Sequence, residues 1–149
     1  MKTYTVCLVG LQAQQAVVIG GGDVAAQKIQ GLLAAEIATK VISPALVSEL
    51  QSLVEEGRIS HVQREYQQGD LQGAFLAIAA TDDPGVNQAV RAEAQQCGCL
   101  VNVVDDPEHC SFILPAVIHR DELSIAISTG GSSPALARSA APMRPVMNR

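Results

Sequence analysis

Tryptophan is absent and the chain holds only two Tyr and two Phe, too few aromatic faces to build a stacking platform for single-stranded nucleic acid. Basic residues are also scarce: ten Lys and Arg stand against fifteen Asp and Glu, and the formal charge of −5 opposes binding to a phosphate backbone. No run of about 18 apolar residues occurs, so no membrane-spanning helix is predicted. Met1–Gly10 lacks the charged-then-apolar layout of a secretory leader. The four cysteines, Cys7, Cys97, Cys99 and Cys110, show no C-x-x-C pairing. They read as reduced thiols used as small apolar residues rather than as a metal site or disulfide framework. His61, His109 and His119 have no ligand-like spacing, so metal and histidine chemistry are not predicted. Neither a nucleophile elbow nor a P-loop lysine is present. The expectation is a soluble, cytoplasmic protein that binds neither membrane nor nucleic acid.

What is present is an alternation of strands and helices. The 149 residues, 48% of them hydrophobic, suffice for one compact domain with a small appendage. Ala16-Val17-Val18-Ile19 reads as a strand that stops at Gly20-Gly21-Gly22 and leads into a helix with Val24, Ala25, Ile29, Leu32 and Leu33 at helical spacing. Thr39–Ser43 forms a second strand, and Leu46, Leu50, Leu53 and Val54 a helix face closed by Gly57. Ile59–Val62 is a weak third strand. The unalternating apolar run 74–80 suits a central parallel strand covered on both faces. Asp83 and Pro84 cap a helix buried through Val86, Val90 and Ala94, and Cys99–Val104 completes a doubly wound parallel sheet. The pattern then changes. Two β-rich runs, Phe112–Ile118 and Leu123–Ser128, predict a hairpin, followed by a short helix from Ser133 and Pro134 that Pro142 and Pro145 stop. The predicted division is a sheet domain over 1–111 and a separate segment over 112–149.

Gly20-Gly21-Gly22-Asp23-Val24-Ala25 fits G-x-G-x-x-A between strand and helix. That spacing gives a tight turn, close approach of the backbone to a pyrophosphate, and a helix N-terminus facing the anion. A structural tight turn is the alternative. The Asp or Glu that often follows at about 20 residues is missing. Val41-Ile42-Ser43-Pro44 stands there, with Ser43 available to a ribose hydroxyl and no Arg to hold an extra phosphate, which favours NAD over NADP. Two acidic pairs, Asp82-Asp83 and Asp105-Asp106, follow strands at the edge where α/β sheets bind ligands. On an extended chain Asp105 and Asp106 would point to opposite sides, one into a cleft and the other capping a turn. A cleft carboxylate beside a nicotinamide could serve as a general base, and two solvated turn carboxylates are the alternative. The loop Ser128-Thr129-Gly130-Gly131-Ser132-Ser133-Pro134 could bind carboxylate or phosphate, cap a helix, or do both. From Arg120 onward, Arg120, Arg138, Arg144 and Arg149 face only Asp121 and Glu122, so an anionic ligand is expected near this part.

Several segments together resemble the precorrin-2 dehydrogenase and sirohydrochlorin ferrochelatase family, the N-terminal module of siroheme synthase. They are Val18–Ala25 with Lys28, Gly73–Asp83, Val101–Asp106, Ser111–Ala116 and Ile125–Arg138, in matching order. The resemblance implies a Rossmann-type α/β fold with helices on both faces, followed by a hairpin-plus-helix dimerisation segment. It implies NAD-dependent oxidation of precorrin-2 to sirohydrochlorin, with ferrous iron insertion in some members, and a homodimer. Asp105 takes the place of the catalytic aspartate, and the cofactor contacts fall on Asp23, Val24, Pro44 and Ala45. With the glycines, Ser43 and Thr81, these form the expected cofactor set. Asn102, Arg120, Thr129, Gly130, Ser132 and Arg138 are expected around the carboxylate-rich substrate. Two departures stand out. Ala35-Glu36-Ile37-Ala38 replaces the usual Ala-Gly-Ala turn, and beyond the Ser133–Arg138 helix the resemblance stops, so the further helical region of the family is not expected. The competing expectation is therefore an NAD-binding module without turnover.

Overall fold

A computed structural model describes residues 2–120 and 123–130. Five parallel strands, β1 (Gln15–Ile19), β2 (Ala38–Ile42), β3 (Ser60–Val62), β4 (Leu76–Ala79) and β5 (Leu100–Val103), form one sheet in the order β3-β2-β1-β4-β5. The run expected at the centre is β4, which lies one place further out. The centre belongs to β1, because the chain builds β2 and β3 on one side of it before crossing to the other. Alternate strand residues feed two cores. Ala16, Val18, Val41, Leu76 and Ile78 pack with α1 (Asp23–Ala34) and α2 (Ser48–Glu55), while Val17, Ile19, Ile42, Ala77, Ala79, Val101 and Val103 pack on the opposite face with α3 (Pro84–Cys97). All four β4 residues are buried, which is why this strand shows no polar alternation.

Helix ends follow local chemistry. Asp83 accepts from the N–H groups of Gly85 and Val86 at 2.8 and 3.2 Å, with Pro84 in the first turn of α3, and Gly98 ends the helix in the left-handed region at φ 73°. At the end of α1 the N–H of Ile37 bonds the Leu32 carbonyl and that of Glu36 the Leu33 carbonyl, a Schellman closure with Leu32 and Ile37 both buried. The left-handed position is occupied by Glu36 at φ 56°, where a side chain is sterically penalised.

The long β3–β4 connection is held by its own polar groups. Arg64 makes a two-pronged pair with Asp70 at 2.7 and 2.8 Å, and Asp70 also accepts from the Gln67 N–H. Buried Glu93 of α3 accepts from the Leu71 N–H at 2.9 Å and from the Tyr66 hydroxyl. Burial, and then the bond to Glu93, pushes the Tyr66 phenol above its ordinary value. An acidic residue thus sits inside a helix face whose other buried members are Val90 and Ala94.

β6 (Ala116–Arg120) and β7 (Leu123–Ile127) pair as the expected antiparallel hairpin. The described residues divide into two compact units, Cys7–Phe112 and a second that takes in those up to Val6 and those from Ile113 onward. The helix expected from Ser133 lies outside the described residues. Among the described residues no helix is long and apolar enough to cross a membrane.

Two stability outcomes follow from these local structures. Relief of the left-handed penalty at Glu36, less the extra unfolded-chain entropy of glycine, makes Glu36→Gly more stable by about 0.5–1 kcal/mol in urea unfolding. The Arg64 hydrogen bond holds the Asp70 carboxyl below the usual carboxylate range. Its stabilisation is therefore complete above the unfolded value of about 4 and is lost as pH falls through the lower folded value. Urea melts from about pH 6 to about pH 2 lose less stability in Arg64→Met than in the wild type, because the variant has less of this linkage to lose.

Candidate active site

Parallel strands bring their carboxyl ends to one edge of the sheet. The chain leaves β1 toward β2 and returns on its other side to β4, so the order reverses between β1 and β4, the place beyond the strand ends where sheets of this kind bind ligands. Gly20–Val24 follow β1, Ser43–Ala45 follow β2, Thr81 follows β4 and Asp105 follows β5. The predicted cofactor residues and the predicted base therefore share this edge.

The three glycines serve different needs. Gly20 has φ 118°, and a Cβ there would lie 2.2 Å from the Ala80 carbonyl oxygen; a Cβ on Gly21 would lie 2.1 Å from that of Ala45 and 2.8 Å from Ser43 Oγ. Both are glycine because neighbouring backbone occupies the space. A Cβ on Gly22 would meet nothing within 4 Å. Gly22 also caps α1 without a side chain to offer, in contrast to the Asp83 carboxylate that fills the same role on α3. The α1 N-terminus thus combines open space with uncapped N–H groups, the arrangement that accepts a pyrophosphate. Ala25 is fully buried against the sheet, while Asp23 is exposed and Val24, 44% exposed, presents an apolar surface at the first turn. These residues fit a dinucleotide.

Ser43 is buried, and its hydroxyl donates to the Ala45 carbonyl at 2.7 Å. Pro44 and Ala45 are exposed on the same loop, and the Val47 N–H returns to the Gly21 carbonyl at 2.8 Å. Thr81 organises the β4–α3 turn: its Oγ1 accepts from the Asp83 N–H at 3.0 Å and its carbonyl accepts from the Asn87 amide at 3.0 Å. Lys40 reaches the Asp70 carbonyl at 3.4 Å.

The expectation of an extended chain at Asp105-Asp106 is corrected. Asp105 lies in the left-handed region at φ 61°, with the Asp106 N–H folded back to the Val103 carbonyl at 3.3 Å. Aspartate tolerates this backbone better than most residues. Asp106 pairs with His109 Nδ1 at 2.6 Å. The Asp105 carboxylate is exposed and has no hydrogen-bond or ion-pair partner among the described residues.

Asn102, expected at the substrate, is 7% exposed and donates its amide N–H to the Phe112 carbonyl at 3.0 Å. Arg120 ends β6 opposite Leu123. Thr129 and Gly130 follow β7, with the Gly130 N–H on Ser128 Oγ at 3.2 Å. Ser132 and Arg138 lie outside the described residues. Burial pushes the Cys99 thiol up to about 12 and raises that of Cys110, which favours the neutral thiol in both. Among the described residues no cluster of His, Cys, Asp or Glu could hold a metal.

One residue passed over in the sequence belongs beside this site. His61 is half-buried on β3, with Nε2 2.9 Å from the Ser43 carbonyl. Its only sequence signal is a histidine in a short strand.

A family model of NAD(P)-binding proteins matches residues 7–116, and one for the central part of sirohaem biosynthesis proteins matches residues 120–139. Siroheme synthase of Chromobacterium violaceum is 47% identical over 129 residues, covering 87% of this chain and 27% of that protein. Siroheme synthase of Photobacterium profundum is 44% identical over 135 residues, covering 91% and 29% respectively. The chain thus spans less than a third of the length of these relatives. A solved structure of a precorrin-2 dehydrogenase has a TM-score of 0.82 and 32% identity, covering 93% of this chain and 67% of that one. With its glycine cradle and strand-end carboxylate, this chain belongs to the NAD(P)-binding family that includes siroheme synthase and precorrin-2 dehydrogenase.

Proposed function

We propose that the chain is an NAD-dependent precorrin-2 dehydrogenase that forms sirohydrochlorin, with Asp105 as general base. The observation that carries this reading is the exposed, unpartnered Asp105 carboxylate, set on a left-handed turn at the edge that also bears the open Gly22 cradle. The α1 N-terminus and Gly22 hold the pyrophosphate, and Ser43–Ala45 and Thr81 border the cofactor. A nicotinamide cofactor held there would supply the acceptor for hydride. Asp105 takes the proton that the tetrapyrrole loses with it, which requires an ionised, accessible carboxylate. A module that only binds a dinucleotide has no need of that group.

Finer assignments belong to the same proposal. NAD is preferred to NADP, since the β2 end offers no Arg for a second phosphate and Lys40 is turned to the Asp70 carbonyl. Arg120, Arg138 and the 129–133 loop are assigned to the substrate carboxylates. Ferrous iron is a candidate second substrate, with Asp105 removing pyrrole N–H protons. Exposed Val117, Leu123 and Ile125 on the hairpin suit a homodimer, and the reaction is placed in the cytoplasm.

Asp105→Asn keeps size and left-handed tolerance but removes the base. Anaerobic assays following NADH and sirohydrochlorin show turnover falling by about 10²–10⁴-fold with NAD affinity unchanged; full activity in this variant overturns the assignment. Gly22→Val places a side chain in open space at φ −89° and weakens NAD binding by about tenfold or more with an unchanged melting temperature. Gly21→Ala, which collides with the Ala45 carbonyl, lowers the melting temperature itself.

A further inference from the structure

We infer that His61 is a positioning residue for the adenosine half of the cofactor, acting through the Ser43 carbonyl. The inference rests on the cofactor reading above and starts from the ladder between β2 and β3. Its last register pair is Ile42 with Val62, and one step beyond it the Ser43 N–H still donates to the Val62 carbonyl at 3.2 Å. In a continuing parallel ladder the Ser43 carbonyl would receive the N–H of Arg64. That N–H turns back to the Val62 carbonyl at 2.9 Å. Ser43 is only 7% exposed, so its carbonyl needs a donor from elsewhere. His61 Nε2 supplies it at 2.9 Å. A carbonyl can only accept, so the ring carries its proton on Nε2, and the bond survives protonation because both ring nitrogens of the cation are donors.

The peptide held in this way carries the cradle. Ser43 Oγ donates to the Ala45 carbonyl, both oxygens lie against Gly21, and the Gly21 carbonyl receives the Val47 N–H. The side chain from β3 thus fixes the loop that flanks the glycine turn at the end of β2. In a sheet of this topology that strand end borders the adenosine ribose. His61 touches the loop and not the reacting atoms. Its loss therefore weakens binding of the adenosine half without changing the chemical step.

The test measures dissociation constants of NAD and ADP-ribose by calorimetry, with kcat and KM for NAD, in wild type, His61→Leu and His61→Gln. The glutamine amide can reach the same carbonyl as a donor. Expected is a loss of about tenfold in affinity for both ligands in His61→Leu, a matching rise in KM, unchanged kcat at saturating NAD, and recovery to near wild-type affinity in His61→Gln. Wild-type affinity for ADP-ribose in His61→Leu overturns the inference, as does a glutamine variant no better than leucine. If the wild type itself binds neither ligand, the cofactor reading falls and takes this inference with it.

Discussion

The site depends on a backbone approach too close for any side chain. At Gly20 and Gly21 the β1–α1 turn passes the carbonyls of Ala80 and Ala45 at distances that would place a Cβ 2.2 and 2.1 Å from oxygen. Those contacts join the central strand to the ends of β4 and β2, its neighbours on either side, beside the β1–β4 point where the strand order reverses. With the turn locked from both sides, the third glycine is left facing open space at an uncapped helix start. The tight contacts at Gly20 and Gly21 and the open space at Gly22 thus belong to one turn.

Around that contact the molecule satisfies its strand edges with side chains. On β3 a histidine donates where the ladder stops. On β5 Ser111 Oγ accepts the Val101 N–H at 2.7 Å and Cys110 Sγ the Val103 N–H at 3.1 Å, covering an edge that would otherwise expose backbone groups. The Cys110 contacts also brace the turn from which Asp105 projects, since Sγ lies 3.2 Å from the Asp106 carbonyl and 3.3 Å from that of Val103. The geometry of the Asp105 turn is thus tied to the covering of the β5 edge. The turn holds its strained backbone because groups on both sides of Asp105 are bonded to one thiol.

Most elements were legible because their signals are local. The apolar runs at Ala16–Ile19 and Leu76–Ala79, the Asp83-Pro84 cap and the Gly98 stop each depend on neighbours within a few residues. The glycine turn and the position of Asp105 just beyond β5 were likewise legible. The central position of β1, the left-handed turn at Asp105 and the work of His61 were not. Each depends on residues distant in the chain: the side on which β4 docks, the Ala79 carbonyl that receives the Val104 N–H at 3.0 Å, and a Ser43 carbonyl 18 positions away. Glu93 went unnoticed for the same reason, because its partners Tyr66 and Leu71 lie in the preceding loop.

By itself the sequence determined the alternation of strands and helices, the parallel α/β class, the place of the glycine turn and the acidic strand ends, since hydrophobic period and turn residues act over short stretches of chain. Tertiary structure alone decided which glycine faces open space, which aspartate stays unpartnered among the described residues, and which histidine completes a buried carbonyl. These depend on what stands within a few ångströms across the sheet, and strand order and register bring together groups that sequence distance keeps apart.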